Sequence, residues 1–434
     1  MRIGVVGGGI TGLTAAHDLL KSGYEVVVWE RSQQLGGLAS AIKVGNSYIE
    51  RFYHHLFRSD VDLVALLEEL GLGEHLVWLE SQIGYYHGDR IYKFGKPTDL
   101  LRFHPLSWLG KTKFGLSILC FQRKSSWEGL DDISVQDWFA RHGALEVYEE
   151  VWKPLLKLKF GDEYQNVAAA WLWGRIHPRA QSRDRIYENE SLGYILGSFD
   201  LLFKRLHERI LDLGGEVRTG TAVKLIEPLS SGQLGLRSDD GDLRFDKIIV
   251  TLHNPTFLKL VPALHMEYKQ RLQAIRYQAV ICMIFILNSS LGDDIYWLNV
   301  NSRELPFGGV IEHTNFVSPT EYDGQHLAYV FNYLSPSDPM ARLSKEAIEA
   351  LYIDGLQKIF PNFNSECIID TVLSRARFAT PIYTLDYPTL MPPHETPIPN
   401  LYLANTAQVY PEDRNTSNCA RNALALTRLI KSEG

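Results

Sequence analysis

The sequence predicts an α/β protein of two domains, on two observations. The chain has 434 residues, more than one hydrophobic core usually organises. Its first thirty residues run through a β-branched segment, a glycine turn, an apolar helical pattern and a second β-branched segment, the opening of a βαβ unit. Apolar residues at 45% and charged residues at 22% fit a folded globular chain. A net charge of −7 argues against a dedicated nucleic-acid binder, which needs a basic excess. Cys120, Cys282, Cys367 and Cys419 lie far apart, with no CxxC and no histidine at metal-ligand spacing, so neither a disulfide framework nor a metal site is expected. The longest apolar run, 279–287, is far short of the roughly 20 residues that a spanning helix needs. With MRIGVVGGGITG leading straight into a strand, the expectation is a cytoplasmic protein, at most attached to a membrane surface.

Each element of the opening has a mechanical reason. Arg2–Val6 is the first strand, and Gly7-Gly8-Gly9-Ile10-Thr11-Gly12 follows it at once. Leu13, Ala16, Leu19 and Leu20 recur at helical spacing until Lys21-Ser22-Gly23, and Glu25–Trp29 is a second strand closing on Glu30. Gly7 makes the tight turn, Gly9 lets the backbone approach a pyrophosphate, and Gly12 allows close helix–strand packing. The helix start at Ile10 and Thr11 offers free N–H groups and a positive dipole end to phosphates. Glu30, 18 residues after Gly12, is spaced to accept hydrogen bonds from an adenosine ribose. The pattern predicts a dinucleotide site.

After Glu30 the chain reads Arg31-Ser32-Gln33-Gln34-Leu35-Gly36-Gly37-Leu38-Ala39-Ser40. The segment resembles the N-terminal signature of the FAD-dependent amine oxidase, protoporphyrinogen oxidase and phytoene desaturase superfamily, to which UDP-galactopyranose mutase is related. The resemblance implies FAD, with Arg31, Gly36, Gly37, Leu38 and Ala39 as a second contact with the cofactor. It also implies a discontinuous Rossmann-like FAD-binding domain, with a second substrate domain of mixed sheet plus helices. The expected division is 1–75, 195–262 and 395–434 for FAD, and 76–194 and 263–394 for substrate.

Later segments fit that division. The stretch 213–226 reads as strand, and the resemblance puts the backbone of Val223 against the adenine. Gly241-Asp242 reads as a hairpin turn. The run 247–252 is a buried strand stopped by helix-breaking His253-Asn254-Pro255. A last strand over 400–405 leads through a loop to an amphipathic helix over 418–431. The resemblance implies that Asn405, Thr416, Ser417 and Asn418 meet the flavin, the helix N-terminus facing the edge where negative charge develops on reduction. Many relatives carry Gly-Glu after this strand; here stand Asn405-Thr406 and then Pro411-Glu412-Asp413-Arg414, a run like that of protoporphyrinogen-oxidase-like members. Read on its own, the 411–418 run is a solvated turn with Thr416, Ser417 or Asn418 as N-cap. Helical pattern over 61–70, 135–157 and 345–359, with strand-like runs at 279–287, 306–312 and 327–334, predicts a sheet roofed by helices.

Candidate chemistry lies in four places. His54 and His55 follow the glycine pair in a segment that the resemblance brings beside the flavin, where a histidine can exchange a proton near neutral pH. Arg175, Arg179, Arg375 and Arg377 are anion-binding candidates, Arg175 standing near Trp171 and Trp173. Tyr383 and Tyr387 lie where amine oxidases place an aromatic cage, whereas Tyr402 falls inside a strand pattern. The stretch 100–127 mixes Arg102, Lys111, Lys113, Arg123 and Lys124 with five aromatic residues and no acid, a pattern that suits an anionic membrane surface or a solvated helix.

No second dinucleotide fingerprint occurs, so the substrate itself is expected to reduce the flavin, by hydride transfer to N5, with oxygen or another acceptor reoxidising it. The expected activity is that of an FAD-dependent oxidoreductase acting on a small-molecule substrate in the crevice between domains. A redox-neutral nucleotide-sugar mutase is the alternative, suggested by 53–57 and by Gly88-Asp89-Arg90-Ile91-Tyr92. A third reading is a scaffold that only binds FAD.

Overall fold

The computed structural model describes residues 1–181, 190–302 and 304–433; residues 182–189 of the expected substrate segment lie outside it. Five parallel strands form the first sheet, in the order Leu401–Leu403, Lys247–Val250, Arg2–Val6, Glu25–Trp29 and Glu216–Arg218. Runs such as KIIV and EVVVW are apolar without alternation because both faces of this sheet are covered. On one face pack helix α1 (Ile10–Lys21), the segment Phe199–Asp212 and the C-terminal helix Thr416–Ser432. On the other lies a three-stranded antiparallel sheet whose Ile226, Leu234, Leu236 and Phe245 bury Val6, Trp29 and Ile248.

A seven-stranded mixed sheet stands beside this layer. Its order is Ile368–Pro381, Tyr277–Leu287, His326–Leu334, Gly309–Glu312, Trp297–Asn301, Ile83–His87 and Arg90–Lys93. All eleven residues of Tyr277–Leu287 are buried. Met283 and Phe285 face Tyr352 and Leu356 of helix Lys345–Ile359, while Cys282 and Ile284 face the core shared with the first sheet. A third layer is helical: α2 (Trp108–Arg123), α3 (Lys153–Phe160) and α4 (Ala169–Gln181).

Four local expectations are corrected. The 213–226 stretch is two strands in two sheets, Glu216–Arg218 and Val223–Pro228, separated by a turn in which Gly220 takes a positive φ. The hairpin turns at Asp239-Asp240, and Gly241-Asp242 already pair with the preceding strand. His253-Asn254-Pro255 starts a helix instead of breaking one. Pro255 sits in the first turn of Asn254–Leu260, where its missing N–H has no use, and the His253 ring accepts from Thr256 N–H at 3.3 Å. The helical pattern of 135–157 is interrupted after Arg141, with Gly143 in the left-handed region, and again by a π-turn at Tyr148–Trp152. Among the described residues no helix is long and apolar enough to cross a membrane, and no group of metal-ligating side chains gathers.

Glu50 anchors the chain where it passes from the first layer to the second. Its carboxylate accepts from Phe199 N–H at 2.7 Å and from the Tyr194 hydroxyl at 3.0 Å, and its carbonyl accepts from the Tyr329 hydroxyl. Burial pushes its pKa up to about 7, although those hydrogen bonds oppose the rise. The folded pKa lies above the unfolded one, so the neutral form's contribution is complete below about pH 4.5 and lost as pH rises through about 7. Glu50→Gln is therefore predicted to remove about 2.5 kcal/mol from the wild-type loss of stability between pH 5 and pH 8. Denaturant unfolding at the two pH values checks this, and equal losses in the two proteins would refute it.

Candidate functional site

The two glycine turns stand face to face. Gly9 caps α1 and pairs with Gly36, whose N–H donates to the Gly8 carbonyl at 2.8 Å. A Cβ on Gly9 would meet nothing closer than the Gly37 Cα at 4.0 Å, so the space above it belongs to something other than protein. Gly12 is the opposite case: its Cβ would stand 1.9 Å from the Gly7 carbonyl oxygen, which is helix–strand packing. Gly7 itself takes a φ of +120°. The Glu30 carboxylate clasps the cradle, accepting from Gly8 N–H at 2.9 Å and Ser32 N–H at 2.8 Å; further lone pairs stay available for hydroxyl groups.

Around this cradle, Ile10, Thr11 and Ala39 are buried, Leu38 is half-buried and Arg31 is exposed. Val223 is half-buried at the start of its strand. Asn405 has spent its side chain internally: its amide donates to Leu252 O and Asn254 Oδ1, each at 2.9 Å, and accepts from Ala407 N–H. Helix α5 (Thr416–Ser432) begins two residues before the expected start, capped by Asn415 and not by Thr416, Ser417 or Asn418. Thr416 and Ser417 are buried in its first turn, and the Asn418 amide donates to the Asp413 carbonyl at 2.8 Å. The cradle fits a dinucleotide: an uncrowded backbone cleft, a helix N-terminus and a carboxylate at its rim.

A second region adjoins it. The loop before α5 carries Asp413 into a nest of cations. Oδ2 accepts from Arg175 at 3.1 Å, Oδ1 is paired with Lys159, and the Trp171 indole N–H approaches Oδ1 at 3.4 Å. Burial would raise the Asp413 pKa, but Lys159 and Arg175 outweigh it and hold the carboxyl well below the usual range. Burial pushes Lys159 down to about 8, against the pull of Asp413. Arg179 pairs with buried Glu190 at 2.9 Å and lies over the Phe57 ring. The Arg414 Nε is buried and, among the described residues, has no hydrogen-bond partner; the Tyr383 and Tyr410 hydroxyls are in the same state.

His54 and His55 belong to this region, though not with the expected proton exchange near neutral pH. Burial, with Arg414 adding to it, lowers His54 to about 4 despite the Phe52 carbonyl 2.6 Å from Nδ1. Burial and Arg179 lower His55 to about 3. Both are neutral at pH 7 because they are desolvated beside fixed cations.

Arg377 does not join them. It is exposed on the edge strand Ile368–Pro381 with its guanidinium over Phe378, and neighbouring Arg375 donates to Leu343 O. Tyr387 is buried and donates to the Ala407 carbonyl, packing with Tyr383 and Tyr410. Tyr402 is core, its hydroxyl 2.7 Å from Lys247 Nζ. A cavity of about 380 Å³ between α3 and the large sheet is lined by Lys153, Lys157, Asn332 and Tyr333; the Tyr333 hydroxyl lies 3.0 Å from that of Tyr53. Lys159, Asp413 and Arg414 are the residues that sequence reasoning missed as site candidates. A lone lysine in a basic helix carries no local signal, and the Pro411-Glu412-Asp413-Arg414 run resembled relatives without showing that its charges enter a site.

The family model described as flavin containing amine oxidoreductase matches residues 10–412. A protein named as a probable zeta-carotene desaturase, from Synechococcus elongatus, is 24% identical over 459 residues, covering 94% of this chain and 93% of its own. Protoporphyrinogen oxidase 2 of Arabidopsis thaliana is 27% identical over 160 residues, 36% of this chain and 32% of its own. An oxidoreductase from Methanosarcina mazei shares the fold with a TM-score of 0.75 at 19% identity, over 99% of this chain and 100% of that one. Reduced UDP-galactopyranose mutase shares it with a TM-score of 0.75 at 12% identity, over 100% and 96%. The fold is therefore common to oxidases and a mutase and does not separate them. The chain belongs to the flavin-containing amine oxidoreductase family and is an FAD-dependent oxidoreductase.

Proposed function

We propose that this oxidoreductase oxidises a small molecule with an apolar body and an anionic end, bound in the crevice between the histidine segment and the Asp413 loop. The observation that carries this reading is the unbalanced charge there. With Arg179 paired to Glu190, Lys159 and Arg175 share the Asp413 carboxylate, and the buried Nε of neighbouring Arg414 has no hydrogen-bond partner among the described residues. A carboxylate is the group such a fork holds best. Tyr53, Trp297 and Phe331, whose ring centroids lie within 6 Å of one another in edge-to-face and tilted contacts, offer an aromatic wall for the rest of the molecule.

The residues expected to hold FAD fit that role: Gly9 and Gly37 leave room for the pyrophosphate, Glu30 for the ribose, and the α5 N-terminus for the flavin ring. Bound there, FAD supplies a two-electron acceptor for a hydride from the substrate, with oxygen or another acceptor reoxidising it. The chain's own residues bind and orient. Arg175 and Arg414 draw in the anionic end, Asp413 keeps Arg175 in place, and neutral His54 and His55 serve as hydrogen-bonding walls instead of acids. In this reading segments 1–75, 195–262 and 395–434 hold FAD and segments 76–194 and 263–394 shape the substrate site. Four free cysteines accord with a reducing cytoplasm.

Three outcomes test the proposal. Gly9→Val should fold, since its Cβ would meet nothing closer than the Gly37 Cα at 4.0 Å, and yet purify without colour; yellow protein with full FAD content would refute the cradle. Mixed anaerobically, a porphyrinogen bearing carboxylates should bleach the flavin and air should restore it. Bleaching by an uncharged polyene precursor or an amine alone would overturn the anionic end. Isomerisation of a UDP-sugar by dithionite-reduced protein, without net electron loss, would establish the mutase reading in its place. Lys159 is charged below about pH 8, so kcat/KM should fall above that pH, and Lys159→Arg should flatten the fall. An identical profile in the variant would remove Lys159 from substrate binding.

A further inference from the structure

Helix α2 is apolar on two opposite sides. Its inner face is ordinary: Phe121 is 1% exposed and packs against Trp138 at 4.5 Å, and Phe114 stacks on Trp152. Its outer face should be polar in a helix at a solvated surface. Instead Trp108 is 72% exposed, Leu109 63%, Leu116 59% and Leu119 46%, and Leu101 just before the helix is 56% exposed. At 100° per residue, Trp108, Leu109, Thr112, Leu116, Leu119 and Arg123 fall within one 100° sector. The stripe runs the whole helix, about 24 Å for 16 residues.

The charges of the stripe's own segment all have one sign; the Glu146 carboxylate meets the helix start from beside it, accepting from Ser107 N–H at 2.6 Å. Between residues 100 and 127 there are five lysines and arginines and no acid, in a chain of net charge −7. Arg102, Arg123 and Lys124 are exposed at the two ends. Lys111 donates to the Leu101 carbonyl and lies over the Trp108 ring, and Lys113 is bonded to the Gly143 carbonyl; these contacts hold the N-terminal half of the helix.

We infer that the outer face of α2 docks this protein on an anionic lipid surface, the helix lying parallel to the bilayer with Trp108 at the headgroup level. Leucines enter the acyl boundary and flanking cations meet lipid phosphates, each cation adding attraction that salt screens. A second copy of the chain is the less suitable occupant, because a two-fold contact through this face sets one basic rim against another. Docking bears on the site because α2 packs on α4, where the Trp173 indole donates to the Lys124 carbonyl at 2.8 Å two residues before Arg175. The helix carrying Arg175 is thus directly behind the docking face.

The test is flotation of the full-length, FAD-loaded protein with vesicles of phosphatidylcholine alone or with about 30% phosphatidylglycerol. Wild type should bind the anionic vesicles at least tenfold more tightly than the neutral ones, and high salt should release it. Leu116→Glu with Leu119→Glu should lose at least tenfold, with FAD content and unfolding midpoint unchanged because both side chains are solvent-exposed. Arg102→Glu with Arg123→Glu should lose binding to anionic vesicles by a similar factor. Wild type that fails to float, or variants that float as well as wild type, would overturn the inference. So would a concentration-dependent dimer, seen in sedimentation, that Leu116→Glu with Leu119→Glu abolishes, since a second copy would then own the face. None of these readouts depends on the substrate.

Discussion

The Asp413 carboxylate and the cations around it are the interaction on which the crevice depends. Lys159 comes from α3, Arg175 from α4 and Asp413 from the loop before α5, so one half-buried carboxylate ties the C-terminal loop to two helices of another layer. Removing one member leaves a partly desolvated charge without its partner, a cost that falls between the roughly 1 kcal/mol of an exposed pair and the about 3–5 kcal/mol of a fully buried one. The loop is pinned from its other side as well. Asn415 donates to Asp60 Oδ1 at 2.8 Å while capping α5, and the Asn418 amide holds the Asp413 carbonyl. Clamped at both ends, the loop has little choice about where Arg414 points.

Cradle and crevice use different physics. The cradle is backbone: two glycine turns, a helix N-terminus and a carboxylate already saturated at one lone pair of each oxygen by N–H groups. Such a surface recognises a cofactor common to a whole family and is indifferent to what the cofactor is used for. The crevice is side chain, and its character is set by burial. Desolvation lowers His54, His55 and Lys159 together and leaves the guanidinium groups as the permanent charges. A site of fixed cations and neutral imidazoles holds an anion well and transfers protons poorly, which leaves the electron transfer to the bound cofactor.

What the sequence made legible was local. The run Arg2–Val6, the glycines, α1 and Glu30 lie within thirty residues, and their order alone dictates a βαβ turn. The strand read at 279–287, which the structure extends to Tyr277–Leu287, and the helix Lys345–Ile359 declared themselves by length and periodicity. What stayed illegible depends on distant partners. Lys159 and Asp413 are 254 positions apart, and nothing in either segment names the other. Arg377 had the same residue type and aromatic neighbour as Arg175 yet faces solvent on an edge strand, a distinction made by the sheet and not by composition. His54 and His55 were visible as residues, but their protonation was not, because burial is a tertiary property. His253-Asn254-Pro255 misled for a smaller reason: proline breaks a helix interior and suits a helix start, and the same three letters serve both.

Arg414 carries a buried Nε without a hydrogen-bond partner among the described residues and stands two residues before α5, so the midpoint potential of bound FAD is the measurement that bears most directly on its role. Replacing Arg414 by Met removes a cation whose field already reaches Tyr53, His54 and Cys419 of the surrounding walls. Negative charge on the reduced flavin would lose that stabilisation. The account predicts a two-electron potential lower by at least about 30 mV, equivalent to about 1.4 kcal/mol. A potential unchanged in the FAD-loaded variant would mean that the cation nest does not face the flavin, and would contradict the account.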